Sequence, residues 1–143
     1  MVTEKRSGRA SFFCRPSQSF TAGNSLKEKK YTILHLEASQ GWGGQEIRIL
    51  QEAVGMRQAG HQVIIAAATK GVLAKKAAAA GFTTYTLNYK KKLWPITFFR
   101  LVYLIKKHKI AIINTHSSLD AWIGGIAGRA AGIKIIRTRH ISN

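Results

Sequence analysis

Acidic residues are scarce in this sequence: 6 Asp+Glu stand against 23 Lys+Arg, a formal net charge of +17 over 143 residues. From Tyr31 onward only Glu37, Glu46, Glu52 and Asp120 are acidic. That leaves no paired carboxylates of the kind used in glycoside hydrolysis and no D-x-D metal site, so no metal is expected. Cysteine is nearly absent. Cys14 stands alone, which excludes an intramolecular disulfide and a thiolate zinc site and fits a reducing compartment. No apolar stretch approaches the roughly 20 residues needed to span a bilayer, so the chain reads as soluble or at most peripheral. The sequence has no G-x-x-x-x-G-K-[ST], and Gly41, Gly43 and Gly44 run into Gln45 and Glu46, so G-x-G-x-x-G fails. That counts against a dinucleotide-dependent oxidoreductase. No helix-turn-helix, zinc finger or RNA-binding signature appears, so no specific nucleic-acid recognition is expected.

What is present is enough hydrophobic residue, 45%, for one core of ordinary domain size. The cationic excess calls for an anionic partner: nucleic acid, an anionic membrane surface or a phosphorylated small molecule. Residues 1–30 are rich in Ser, Gly, Lys and Arg without a sustained period, and read as a disordered basic tail. Their composition approaches that of a transit peptide, but Glu4 and the lack of an amphipathic helix weigh against one.

From Tyr31 short apolar runs alternate with helical stretches. "YTILHLE", "HQVIIAAA", "FTTYTLN", "IAIINTHS" and "IKIIRTRH" read as strands. "GQEIRILQEAVGMRQAG" reads as a helix with Ile47, Leu50 and Val54 on one face, and three more helices follow in "KGVLAKKAAAAG", "ITFFRLVYLIKKHK" after Pro95, and "LDAWIGGIAGRAAG". Strands alternating with helices predict an α/β, Rossmann-like parallel sheet of about five strands with helices on both faces. Runs such as "VIIAAA" lack alternation, as strands buried on both faces do. Gly124, Gly128 and Gly132, spaced by four, let their helix lie close to the sheet.

Right-handed crossovers bring every strand's carboxyl end to one edge, where ligands of open α/β sheets bind. At that edge Gly43 and Gly44 open the first helix, where backbone N–H groups and the helix dipole favour an anion. His116 follows the fourth strand at the mouth of the crevice, with Ser117 and Ser118 as caps or hydroxyl donors. Arg137, Arg139 and His140 follow the fifth. Alternation sends the arginines to one face and Thr138 and His140 to the other. His35 and His61 read as structural, and His108 as a partner of its helix dipole. The aromatic, lysine-rich stretch from "YKKKLW" through "ITFFRLVYLIKKHK" reads first as a core-packed helix with snorkelling lysines, and second as a patch for an anionic bilayer.

Together, "ILHLEASQGWGGQEIRILQEAVGMRQAGHQV", "AIINTHSSLDAW" and "IKIIRTRHIS" resemble the amino-terminal domain of family 4 glycosyltransferases of the GT-B fold, over residues 31–143. The resemblance implies one half of a GT-B architecture, in which two Rossmann-like domains face each other across a cleft, the amino-terminal one on the acceptor side. It implies a metal-independent hexosyltransferase of bacterial lipopolysaccharide or cell-envelope glycan synthesis. The substrates would be a nucleotide sugar and a lipid-linked or saccharide acceptor, with no cofactor. Gly43 and Gly44 would lie against the donor diphosphate, His116 would act on the transferred sugar as the catalytic residue, and Ser117, Arg137, Arg139 and His140 would bind phosphate or acceptor groups. A cytoplasmic location follows, with peripheral contact on the inner face of the cytoplasmic membrane. The carboxy-terminal donor-binding domain, with its E-x7-E motif, is missing, so a truncated or split half is expected, inactive alone. The alternative is a non-enzymatic basic module that binds nucleic acid or an anionic membrane by charge.

Overall fold

The structure, a computed structural model, describes residues 28–138. Most of the expected tail, and both Arg139 and His140, lie outside the described residues. The chain runs β1 (Thr32–Glu37), α1 (Gly44–Gln58), β2 (Gln62–Ala68), α2 (Val72–Ala79), β3 (Thr83–Leu87), a 3-10 turn (Lys91–Leu93), α3 (Trp94–His108), β4 (Ile112–Thr115), α4 (Ser118–Ala131) and β5 (Lys134–Arg137). All strands pair in parallel in the order β3-β2-β1-β4-β5. This is the predicted α/β Rossmann-like sheet. Strand order reverses between β1 and β4, so the crevice of the sheet opens between the ends of these two strands.

Alternation along the strands builds two cores. Leu34, Leu36, Ile113, Ile64 and Leu87 face α3 and α4 and pack on Leu101, Ile105, Ile123 and Ala127. Val63, Ile65 and Ala67 face the other way onto Ile49, Ala53, Leu73 and Ala77 of α1 and α2. α4 lies unusually close to its strands: a Cβ on Gly124 would stand 2.7 Å from Leu36 Cδ1, and one on Gly128 2.8 Å from Ile135 Cγ1. Gly132 has a different role from the spacing argument. It adopts φ 69° and ends the helix in the left-handed conformation that glycine tolerates.

The buried stripe of α1 differs from the expected one. Glu46, Ile49 and Ala53 point inward, Leu50 and Val54 flank them, and Ile47 is 40% exposed. Glu46, at the head of this stripe, accepts the Gly43 N–H at 2.8 Å. β4 and β5 are shorter than the segments read as strands, pairing only from Ile112↔Lys134 to Thr115↔Arg137.

Candidate functional site at the carboxyl edge of the sheet

Glu37, the last residue of β1, is fully buried and organises the rim. One oxygen accepts the Ser39 N–H at 2.7 Å, and the other accepts the Gln45 side-chain amide, which also reaches the His116 carbonyl at 3.4 Å. A single carboxylate therefore ties the Gly-rich turn, the start of α1 and the end of β4 into one unit. Gly43 and Gly44 are exposed on it. Nothing among the described residues requires them to be glycine. Gly43 has extended backbone, a Cβ there would stand 3.6 Å from Glu46, and one on Gly44 would meet nothing within 4 Å. The bare backbone leaves room for a ligand, although the Gly43 N–H is already taken by Glu46, which leaves the amides of the next residues to meet an anion.

The β4–α4 junction is fixed in the same way. Asp120 is buried and accepts the His116 N–H at 3.0 Å, the Ser117 N–H at 2.8 Å and the Ser117 hydroxyl at 2.8 Å, so Ser117 caps α4 as expected. Burial nevertheless pushes the Asp120 carboxyl up to about 6, against the downward pull of the His116 and Ser117 hydrogen bonds.

His116 is not at the mouth of the crevice. Its side chain is 4% exposed, and it follows Asn114 onto the α1 face of the sheet, where its Nε2 lies 3.0 Å from Nδ1 of His35 with the rings 7° from parallel. His35 also meets Met56 Sδ at 3.4 Å, and burial lowers its pKa to about 4, so it is neutral at pH 7. Asn114 donates to Glu52 at 3.3 Å and accepts from the Thr138 hydroxyl at 2.9 Å. His35, Glu52 and His116 each bring one potential ligand atom within 4.8 Å of the others. This convergence escaped the sequence, since the three residues come from β1, α1 and the end of β4. Imidazoles with a carboxylate suit a transition metal; here His35 pairs with His116, and Glu52 accepts from Asn114.

Arg137 lies on the opposite face. It lines a cavity of about 670 Å³ with Trp122, Arg129 and Ile135 beside α4, so its side chain does not converge with that of His116. His108, expected to interact with its helix dipole, also pairs with the Tyr85 hydroxyl at 2.7 Å.

Two smaller cavities open on the edge. A crevice of about 240 Å³ over the ends of β1, β2 and β3 is lined by Gln40, Thr69, Lys70, Asn88, Tyr89 and Lys90 among others. A slot of about 280 Å³ is walled by Tyr89, Lys91, Trp94, Leu119, Trp122 and Ile123. Trp94 and Trp122 meet edge to face at 5.7 Å. The Tyr89 hydroxyl is buried without a hydrogen-bond partner among the described residues, and burial, with Asp120 and Glu37 nearby, raises its pKa well above the ordinary value.

The parallel sheet with its ligand edge at the β1/β4 switch point defines a Rossmann-like domain of the type that makes up one half of a GT-B enzyme. The sequence profile of Glycosyltransferase Family 4 matches residues 42–143, and the chain belongs to that family. Among solved structures it is similar to MurG of Acinetobacter baumannii (TM-score 0.64, 19% identity, 76% of this chain and 35% of that one). It is also similar to a glycosyltransferase of Rickettsia africae ESF-5 (TM-score 0.64, 26% identity, 80% and 32%). HepE of Anabaena, solved in complex with UDP-glucose, gives a TM-score of 0.61 at 16% identity over 75% of this chain and 28% of that one. The chain thus spans about a third of the length of these structures. A search of curated proteins returns no match.

Proposed function

We propose that this chain is the acceptor-side half of a metal-independent glycosyltransferase. It would pass a hexosyl group from a nucleotide sugar to a lipid-linked or saccharide acceptor in bacterial lipopolysaccharide or cell-envelope glycan synthesis. The observation that carries the reading is the family match ending on a rim where Glu37 holds the open Gly43–Gly44 turn against the end of β4. HepE, a structural neighbour, was solved with UDP-glucose. Negative charge grows on the departing diphosphate as the glycosidic bond breaks, and preorganised N–H donors at a helix start lower that barrier without a metal. Gly44 and the first amides of α1 take this role here, with Gly43 held in place by Glu46. His116, implied by the resemblance as the sugar contact, has its buried ring held by His35 and supports the rim from beneath it. Ser117 shapes the junction. Arg137, beside Arg129, contacts a phosphate or glycan group of the substrates in the cavity next to α4, with Arg139 on the same face by strand alternation and His140 on the other.

Membrane contact on the cytoplasmic side is part of the proposal, because one face of α3 favours it. Ile96, Phe99 and Tyr103 are 65%, 69% and 59% exposed at helical spacing, while Thr97, Leu101, Leu104 and Ile105 are buried. Lys91, Lys92, Arg100, Lys106 and Lys107 are exposed around them.

The test is transfer of labelled sugar from a panel of nucleotide sugars into bacterial envelope lipid and glycan fractions, by the chain alone and with a family 4 donor-side domain added as a second polypeptide. Label appearing only in the mixture is expected. Turnover by the chain alone contradicts the half-enzyme reading, and no transfer with any donor in the mixture contradicts the transferase reading.

A further inference from the structure

The two edge cavities differ in chemistry and share a wall. Tyr89 and Leu119 line both. On one side of that wall the crevice presents Lys70, Lys90, Asn88, Thr69 and Gln40, with no acidic side chain among the described residues of its lining. On the other, Trp94, Trp122, Leu119 and Ile123 form an apolar slot whose one charged member among the described residues is Lys91. Trp94 is 43% exposed, Trp122 54% and Leu119 47%. Large apolar side chains left this open at a ligand edge mark a binding surface more often than idle exposure. Tyr89, the shared residue, carries the buried hydroxyl that lacks a partner among the described residues, an uncommon state in a folded protein.

We propose that these cavities together take one amphiphile, with an anionic head in the Lys70–Lys90 crevice and a hydrocarbon chain in the Trp94–Trp122 slot. The inference rests on the acceptor-side reading and narrows its acceptor to the lipid-linked class. A neutral saccharide fills the crevice but leaves the slot wet, and a bare phosphate does the same. An alkyl phosphate desolvates the tryptophans while its charge meets the lysines, and each methylene that enters the slot tightens binding about fourfold.

Trp94 and Trp122 report on the slot directly once the third tryptophan is removed as Trp42→Phe. In that background, butyl phosphate, octyl phosphate and octyl glucoside are titrated below their micellar ranges and tryptophan emission is followed. Octyl phosphate is expected to saturate the signal about 250-fold below butyl phosphate, by the per-methylene gain over four added methylenes, and well below octyl glucoside. Trp122→Ala, at a half-exposed position where circular dichroism should show the fold intact, removes the chain-length gain. Lys70→Ala with Lys90→Ala removes the preference for phosphate over glucoside and leaves the chain-length gain.

Equal affinity for butyl and octyl phosphate overturns the proposal, as does equal affinity for octyl phosphate and octyl glucoside. So does a signal seen only with micelles or phosphatidylglycerol vesicles, which makes the face a bilayer surface. Any of these results beside successful transfer to a soluble saccharide would sink the amphiphile and spare the transferase reading.

Discussion

The two faces of the sheet are held by opposite means. On the α3/α4 face the contact is dry and close, and two glycines exist to make it so: a Cβ at Gly124 would meet Leu36, Thr115 and Ile113, and one at Gly128 would meet Ile135 and Ile113. On the α1 face, the part over β1 and β4 is polar, built from His35, Glu37, Asn114 and His116 on the strands and Gln45, Glu52 and Met56 on the helix. The glycines there, Gly43 and Gly44, have room beside them. Glycine therefore means packing on one face and open space on the other. A buried polar cluster tolerated beside a hydrophobic core also needs every member paired, since an unpaired one costs on the order of 1–3 kcal/mol.

The contrast is broken most severely at Gly124. Gly124→Val forces a branched side chain against fully buried Leu36 and should cost about 3 kcal/mol in urea unfolding. Gly128→Val should cost less, because Ile135 is only half-buried and can rotate away.

A slightly smaller effect separates the faces by pH. His35 has a folded pKa of about 4, below its ordinary 6.5, so its contribution is complete above pH 6.5 and is lost as pH falls toward 4. Asp120 is raised from 3.8 to about 6, so its contribution is complete below pH 3.8 and is lost as pH rises through 6. The two oppose each other between pH 4 and 6. Asp120→Asn should unmask the histidine and steepen the loss of stability between pH 6.5 and 4 by on the order of 2–3 kcal/mol, read from urea midpoints across that range. An unchanged pH profile would contradict the assignment.

His35→Ala leaves the ring of His116 without its stacked partner and should cost about 2 kcal/mol at pH 7.5, with the acid-induced loss between pH 6.5 and 4 reduced. The smallest effect is the most informative about space: Gly44→Ala should change stability by less than about 0.5 kcal/mol, because its Cβ meets nothing. A large destabilisation there would mean that the turn is glycine for folding and not for a ligand.

The sheet was legible in the sequence because it is written in runs such as "VIIAAA" and in turn glycines, both local signals. The Gly43–Gly44 turn and the Ser117 cap were legible for the same reason. The alternation of Thr138 against Arg137 also followed from the period of a strand, and the structure places them on opposite faces. The position of the His116 ring was not legible. Order along the chain put it at the strand's end, but the face it takes depends on the register of β4, and its partner His35 lies 81 residues earlier. The stripe of α1 was misplaced by one position, because hydrophobicity pointed to Ile47 while the buried stripe begins at a charged residue, Glu46, paired with the Gly43 N–H. The Trp94–Trp122 slot needs two helices side by side, which no periodicity within either one reveals.

The central claim is that the carboxyl edge around the β1/β4 switch point is where this domain meets its substrates. Amide NMR of the chain titrated with UDP-glucose tests it most directly. The account predicts shifts confined to the amides of residues 43–46 and 116–118, with residues at the opposite edge, such as Thr32, Gln62 and Lys134, unmoved. Shifts at that opposite edge, or none at millimolar ligand, would contradict it.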